Sequence, residues 1–218
     1  MAQSPKESSP GTDWDEYYQT PYTGAEFTRR LMGRVLAKFV RKHVSDVHRG
    51  PLRIAELGGA NSSFFRAIKE VAGPAEYHIF DSNRVGLDLT LKRLQGQEGL
   101  SLHCQDITEL EWGPEFDLVF SVGLIEHFSV LGTQKAIEAH FKLAGPSGIV
   151  IITFPTPTLL YRVSRALSEL LGLWIFHDER PLRMDEVEKT ALQYGFTVDS
   201  MIVWPILFTQ RIMVMRKT

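Results

Sequence analysis

The sequence contains a single cysteine, Cys104, among its 218 residues. A lone thiol cannot close an internal disulfide, and Cys104 has no partner ligands at the spacing of a structural zinc site. We therefore expect a reducing compartment, predict a cytoplasmic location and predict no metal site. The thiol itself is expected in a buried strand.

Other features are also missing. Residues 1–12 are rich in Ser, Pro, Lys and Glu and lack the apolar core of a signal peptide. No apolar stretch is free enough of charge to span a bilayer, so we predict no transmembrane segment. Charge of one sign does not dominate either, because the formal net charge is −2. A nucleic-acid binder needs a basic surface, and we predict a small-molecule partner instead.

The length and the hydrophobic content of 44% suffice for one α/β domain with a full core. We predict a disordered start over residues 1–12 and a single domain over residues 13–218. Within that domain, residues 13–48 are expected to form a helical cap, and residues 157–181 to carry an inserted helix.

The glycine pattern of nucleotide-binding loops is incomplete in residues 53–65, Arg-Ile-Ala-Glu-Leu-Gly-Gly-Ala-Asn-Ser-Ser-Phe-Phe. An apolar run, two glycines and apolar residues at helical spacing predict a strand, a tight turn and a helix. A dinucleotide site needs glycine at three places, which here carry Gly58, Ala60 and Ser63. The lysine of a P-loop is missing, and Glu56 would repel a diphosphate. A ligand with a nucleoside end and an amino-acid end suits this turn better.

Carboxylates end the next two predicted strands. Asp81 follows the apolar run of residues 75–80, and Asp106 follows residues 99–105. Right-handed β-α-β crossovers bring the ends of parallel strands to one edge of a sheet, so we expect both carboxylates near the turn after Glu56. At the end of the second strand, a carboxylate can accept both hydrogens of a ribose diol.

Residues 56–62 resemble motif I of the class I S-adenosylmethionine-dependent methyltransferases, although only the first glycine of that motif is kept. The chain looks like the small-molecule type (methyltransferase type 11/12-like). This resemblance implies a Rossmann-like α/β fold with a seven-stranded, mostly parallel sheet, an antiparallel C-terminal hairpin and helices on both faces. It implies S-adenosyl-L-methionine as cofactor, with the ribose on Asp81, the adenine amine on Asp106 and the adenine ring on Ile107. The predicted cofactor-binding residues are Glu56, Gly58, Gly59, Ala60, Asp81, Ser82, Asp106, Ile107, Ser121, Tyr17 and Tyr22.

A Glu126-His127 pair follows the fourth predicted strand, residues 116–122. It resembles the pair that many small-molecule methyltransferases carry at this place. An imidazole titrates near neutral pH, so His127 is our candidate for a catalytic base. An alternative role for His127 is to orient the loop.

Downstream of this pair, the pattern predicts a helix over residues 133–143, a turn at residues 145–148 and a fifth strand over residues 149–154. A last helix over residues 184–194 and two strands separated by Pro205 complete the sheet.

Residues 14–22 are crowded with aromatic side chains, at Trp14, Tyr17, Tyr18 and Tyr22. A free tail rarely has this density, so the segment should dock on the domain. It either covers the sheet edge or forms a lid from which these tyrosines reach the cofactor. The basic residues of the following amphipathic helix are expected to be solvated.

Residues 159–176 read as an amphipathic helix, with Val163, Leu167 and Leu170 on the apolar face together with Leu160 and Trp174. We expect it to pack over the active site; a membrane-surface helix and a homodimer helix are the alternatives. In the first case Tyr161, Trp174 and His177 would line the acceptor side, and the segment would meet the aromatic start over the sulfonium.

These patterns together predict methyl transfer from S-adenosylmethionine to a small-molecule acceptor, at oxygen or nitrogen. Secondary-metabolite, sugar and lipid acceptors all suit the aromatic walls. The alternative is a regulatory module that binds S-adenosylmethionine or S-adenosylhomocysteine without turnover.

Overall fold

A computed structural model describes residues 11–20, 25–44, 50–203 and 207–218. The helices are α1 Trp14–Gln19, α2 Ala25–Val44, α3 Phe65–Ala72, α4 Arg84–Arg93, α5 Val130–Leu143, α6 Leu159–Leu170 and α7 Met184–Ala191. The strands are β1 Leu52–Leu57, β2 Ala75–Asp81, β3 Leu100–Cys104, β4 Phe116–Val122, β5 Ala144–Pro155, β6 Gly195–Val203 and β7 Gln210–Lys217. Short 3-10 turns span Ile107–Glu109 and Ile125–His127. Residues 1–10 of the predicted disordered start lie outside the described residues.

The strands form one seven-stranded sheet in the order β3-β2-β1-β4-β5-β7-β6. The pairs from β3 to β5 are parallel, whereas β7 runs antiparallel to both β5 and β6. The strand order reverses between β1 and β4, and α/β sheets bind ligands at the carboxyl ends of the strands beside such a reversal. The predicted mostly parallel sheet with an antiparallel C-terminal hairpin is confirmed.

Both faces of the sheet are buried, which explains the almost wholly apolar strands. Ile54 and Leu118 belong to the core on the side of α2, α3 and α4. Ala55 and Val119 face the core that contains residues of α5 and α7. The site therefore stands on strands that are packed from two sides.

Strand β5 spans Ala144–Pro155, so the turn predicted at residues 145–148 falls within its bounds, where these four residues have no partner in β4 or β7. The pairing of β4 with β5 shifts register between Phe116 and Leu118, so the extra residues of β5 are accommodated as a bulge. Helix α5 also begins earlier than predicted, at Val130, because the Ser129 hydroxyl accepts a hydrogen bond from the backbone N–H of Gly132 and caps it.

Cys104 ends β3 as predicted, but its side chain is exposed rather than buried. Beyond β3, the described chain forms only the short Ile107–Glu109 turn before β4. Cys104 lies with Leu100 and Leu102 on the α4 side of this sheet edge.

Helix α6 is shorter than predicted, since it ends at Leu170 and Gly172 follows in a left-handed conformation with φ of 65°. Its predicted packing face is also wrong. Val163, Leu167 and Leu170 are exposed, and the fully buried residue of the helix is Tyr161. Among the described helices, none combines the length and the apolar character that crossing a bilayer requires.

Candidate functional site

The turn after β1 depends on its two glycines. Gly58 has a φ of +68°, and a Cβ there would lie 2.5 Å from Cδ1 of Leu124. Its backbone N–H donates to the carbonyl of Phe80 at 2.8 Å, which ties the turn to β2. A Cβ on Gly59 would lie 2.7 Å from Cγ of Glu56. Side chains therefore close in on this backbone from two sides, and only glycine fits.

Glu56 shapes the same turn from inside. It is buried and its Oε2 accepts hydrogen bonds from the Ser62 hydroxyl and from the Tyr77 hydroxyl, both at 2.6 Å. Burial raises the pKa of Glu56 to about 7, although both hydrogen bonds oppose this shift. Glu56 thus holds the turn in shape, and its place close to a cofactor stays a prediction.

Asp81 links the turn after β1 with the turn after β2. Its Oδ2 accepts from the backbone N–H of Ala60 at 2.9 Å, and its Oδ1 accepts from the backbone N–H of Asn83 at 2.7 Å. Burial raises the pKa of Asp81, and these two bonds oppose the shift. Each carboxylate oxygen has two lone pairs, so each retains acceptor capacity for a ligand hydroxyl.

The remaining predicted donor-site residues surround these turns. Ser82 and Asp106 are exposed, and Ile107 is buried beneath them. Asp106 accepts from the backbone N–H and the hydroxyl of Thr108, both at 2.8 Å on Oδ1, and so caps the Ile107–Glu109 turn. Glu56 and Asp81 thus lie at the carboxyl ends of β1 and β2, and Asp106 follows β3, at one edge of the sheet as predicted.

Ser121 lies elsewhere than predicted. Its side chain is fully buried on the α5 side of β4, where its hydroxyl lies 2.9 Å from Nε2 of His140. Nδ1 of His140 lies 2.7 Å from the carbonyl oxygen of Ala136, so Nδ1 carries the proton and Nε2 accepts. Burial lowers the pKa of His140 to about 4 and keeps it neutral. In this position the Ser121 side chain cannot contact a cofactor.

Helix α1 covers the donor end. Its Asp15 accepts from Nδ2 of Asn83 at 2.6 Å, and Tyr18 lies against the first turn of α4, where a Cβ on Gly86 would lie 2.8 Å from the tyrosine ring. Burial, and then the charge of Asp81, raise the pKa of Tyr18 well above its usual range. Tyr17 accepts a hydrogen bond from the Arg29 guanidinium. Tyr22, the other predicted tyrosine, lies outside the described residues.

The aromatic start meets the loop that follows α6. The Trp14 ring lies 4.9 Å from the ring of His127 and the Tyr17 ring lies 5.4 Å from that of Phe176. The Thr12 hydroxyl donates to Asp178 in the same loop. Residues 11–19 and 176–178 therefore close over the end of β4, as the sequence led us to expect.

Of the three residues predicted to line the acceptor side, two are buried and one is exposed. Tyr161 is buried and its hydroxyl donates to the Glu179 carboxylate. The Trp174 ring packs 4.8 Å from the guanidinium carbon of Arg165, and its Nε1–H donates to the backbone oxygen of Phe176 at 2.8 Å. His177 is exposed. Tyr161 and Trp174 support the loop from behind, and their contact with an acceptor stays a prediction.

His127 lies among carboxylates. Its Nδ1 donates to Oδ1 of Asp178 at 3.1 Å, and its Nε2 lies 4.0 Å from Oε1 of Glu126. Burial lowers the pKa of His127, but the bond to Asp178 and the nearby carboxylates outweigh it and raise the pKa. Burial raises the pKa of Glu126 to about 8. The surroundings thus fix the imidazole tautomer and leave Nε2 facing the site.

Comparison with known proteins relates this architecture to solved structures only, because no protein-family profile and no curated protein matches the chain. Magnesium protoporphyrin IX methyltransferase from Synechocystis PCC 6803, with S-adenosylhomocysteine bound, aligns with a TM-score of 0.70 and 15% identity, over 91% of this chain and 89% of that one. N-methyltransferase NodS from Bradyrhizobium japonicum WM9, also with S-adenosylhomocysteine, aligns with a TM-score of 0.63 and 12% identity, over 94% and 93%. A Pyrococcus horikoshii OT3 protein aligns with a TM-score of 0.70 and 15% identity, over 93% and 99%.

The chain has the class I methyltransferase fold. In this fold the described site occupies the carboxyl edge of β1, β2, β3 and β4, with α1 above it.

Sequence reasoning missed three residues of the described site. They are Phe176 and Glu179, which lie in the loop after α6, and Glu126, whose buried carboxylate was read only as part of a pair. The titratable residues at positions 177–180 were the sequence feature that could have indicated this part of the site. A solvent-exposed charged loop has the same composition, so the sequence alone did not identify it.

Proposed function

We propose that this protein transfers the methyl group of S-adenosylmethionine to a small-molecule acceptor. The observation that carries this proposal is the position of Asp81. It lies at the end of β2, binds the backbone of the turn after β1, and keeps acceptor capacity on both oxygens. With Asp106 at the end of the next strand, this edge suits the hydroxyls and the amine of adenosine rather than phosphates.

The chemistry asks little of the protein beyond placement. A sulfonium is already activated, so the protein aligns donor and nucleophile and removes water from between them. The cover formed by Trp14, Tyr17 and Phe176 supports the removal of water. His127 lies beneath that cover and is the residue we place at the acceptor end.

The acceptor is small in this proposal, because α1 and the loop after α6 meet over the site. The similar structures include a magnesium protoporphyrin IX methyltransferase and an N-methyltransferase, so the shared fold serves acceptors of different chemistry. We also propose that the methyl group goes to an oxygen or a nitrogen atom. From the sequence, we propose a cytoplasmic location and a homodimer.

Two measurements test the function. Calorimetric titration with S-adenosylhomocysteine should show one site per chain. Incubation with labelled S-adenosylmethionine and a panel of hydroxyl and amine acceptors should release labelled product. Absence of S-adenosylhomocysteine binding would exclude the proposal, and tight binding without transfer to any acceptor would favour the regulatory module.

His127 gives the test of the acceptor end. His127→Ala should leave the affinity for S-adenosylhomocysteine within about threefold and lower kcat at least tenfold, because a group that acts only in the reaction changes turnover rather than cofactor binding. An unchanged kcat in this variant would remove His127 from the mechanism.

A further inference from the structure

Glu126, His127 and Glu179 converge beneath the aromatic cover. One carboxylate oxygen of each glutamate and one imidazole nitrogen all lie within 4.8 Å of one another. Glu126 and His127 come from the turn after β4, whereas Glu179 comes from the loop after α6. Two separate parts of the chain thus bring ligand-type atoms to one point.

Carboxylates outnumber the cationic groups around Glu126 and His127. Glu126 is 1% exposed, and its Oε2 has no hydrogen-bond partner among them. Asp178 and Glu179 add two more carboxylates. Arg180 pairs with Glu186 at 2.5 Å. Arg165 pairs with Glu169 at 2.8 Å, and its charge also acts on Glu179. Of the two glutamates, Glu126 is therefore the one without an arginine partner among the described residues. A buried carboxylate oxygen without a partner is costly, which points to a missing cationic ligand.

The hydrogen bonding of His127 suits the binding of a cation. Asp178 binds Nδ1 of His127, so the lone pair of the neutral ring lies on Nε2, on the side of Glu126. The 4.0 Å from Nε2 to Oε1 of Glu126 is too long for a hydrogen bond. A carboxylate behind the far nitrogen is the usual second partner of a metal-binding histidine. The Tyr161 hydroxyl holds Glu179 in a similar way.

We propose that Glu126, Glu179 and Nε2 of His127 bind a divalent transition-metal ion, with Asp178 as the positioning residue for the imidazole. Two carboxylates and one imidazole suit Zn²⁺ or Mn²⁺ better than a thiolate-seeking ion. Three protein ligands leave a coordination position open, as in catalytic rather than structural sites. Ligand atoms around such an ion are roughly 3.4 Å apart for bonds of about 2.0–2.2 Å, so the loop carrying Glu179 closes slightly on binding. The sequence had led us to expect no metal site.

The catalytic role of this ion rests on the proposed methyl-transfer function. An acceptor hydroxyl in the open position loses its proton to water more readily, because the ion stabilises the oxyanion. The oxygen then forms a bond to the methyl carbon while the carbon–sulfur bond breaks and its electron pair stays on sulfur, which gives S-adenosylhomocysteine. His127 acts here as a ligand, and the acceptor class is a compound with a hydroxyl group.

The test uses the full chain, treated with a chelator and then dialysed, with Mn²⁺ binding followed by electron paramagnetic resonance and Zn²⁺ binding by calorimetry. We expect one ion per chain. Glu126→Gln keeps the shape of the side chain and should weaken binding by about 100-fold or more, and Asp178→Asn by about 10-fold. Glu138→Gln, which removes a surface carboxylate paired with Lys142, is the matched control and should bind normally. If Glu126→Gln fails to fold, Glu179→Gln on the loop tests the same loss of ion affinity.

The same samples are titrated with S-adenosylhomocysteine, so the two proposals fail separately. Intact S-adenosylhomocysteine binding with no bound Mn²⁺ or Zn²⁺, or with ion binding that Glu126→Gln and Glu179→Gln leave unchanged, would overturn the metal site alone. Ion binding that depends on Glu126 without any S-adenosylhomocysteine binding would support the metal site and overturn the proposed function.

Discussion

The carboxylate of Asp81 holds two turns together and is proposed to bind the ribose, and a substitution series can separate these two roles. Asp81→Ala should weaken S-adenosylhomocysteine binding by about 2–3 kcal/mol, since two charge-assisted hydrogen bonds to the ribose are lost. Asp106→Ala should cost less, because Asp106 is exposed and Ile107 remains to pack on the adenine. Calorimetry at one temperature decides the ranking.

A matched control is needed because Asp81 also holds Ala60 and Asn83. Asp81→Asn keeps an acceptor for one of these backbone groups and should restore part of the thermal stability but little of the affinity. Equal or greater loss in Asp106→Ala would reverse the assignment of the two carboxylates.

His140 makes the free energy of unfolding depend on pH. Its pKa is about 4 in the folded chain and about 6.5 when unfolded, so the unfolded chain binds the extra proton between these values. The stability that neutral His140 contributes is complete above pH 6.5 and is lost as the pH falls towards 4. Between pH 7 and pH 4.5 the protein should lose on the order of 2 kcal/mol from this residue.

The variant His140→Gln isolates that contribution. Glu56 acts in the opposite direction, because its raised pKa of about 7 favours the folded state as the pH falls. Urea unfolding of both proteins at several pH values should therefore show a difference that shrinks on acidification. A constant difference would mean that His140 is accessible to protons in the fold.

At the scale of elements, α6 offers a comparison between its two faces. Leu170 is 83% exposed and Tyr161 is 1% exposed. Leu170→Gln should change the free energy of unfolding by at most about 0.5 kcal/mol, whereas Tyr161→Ala should cost about 3–5 kcal/mol, as large-to-small changes of buried aromatic residues do. Chemical denaturation measures both, and a large loss in Leu170→Gln would show that its face is covered in solution.

The same helix shows where sequence reasoning ends. The strands and their carboxylates were predictable, because burial on both faces leaves long apolar runs and parallel strands end at one edge. The orientation of α6 was not, because its apolar residues predict a buried face only if a partner element exists. The early start of β5 was hidden for a different reason: residues 145–148 are turn-forming and have no partner in β4, so they form a bulge inside the strand, whereas the sequence pattern marks them as its boundary.

Some side-chain positions in the site were likewise predictable from the sequence, and others were not. Asp81 and Asp106 were found because strand ends fix them. Ser121 was misplaced because successive strand residues point to opposite faces, and its direction depends on the pleat. The meeting of Glu126 with Glu179 joins residues 53 positions apart through a loop, and no local pattern encodes that contact.

For the whole molecule, ligand binding and folding should be linked. The proposed donor site uses residues from β1, β2 and β3 together with α1, so it exists only in the folded chain. S-adenosylhomocysteine at 100 times its Kd should add about 2.7 kcal/mol to the free energy of unfolding and raise Tm by roughly 5–10 °C. Differential scanning fluorimetry measures this shift. Asp81→Ala at the same ligand concentration should show less of it, and an equal shift would place the ligand elsewhere.

Helix α1 has no buried residue, yet it is bound to Asn83 at the donor end and lies against His127 at the acceptor end. A single cover over both ends means that neither ligand exchanges while the other is enclosed. In the proposed reaction, each cycle would need one opening of this six-residue helix, and the rate of that opening would set an upper limit on turnover. Steady-state kinetics should accordingly show an ordered sequence, with the methyl donor bound before the cover closes and S-adenosylhomocysteine leaving last as a strong product inhibitor.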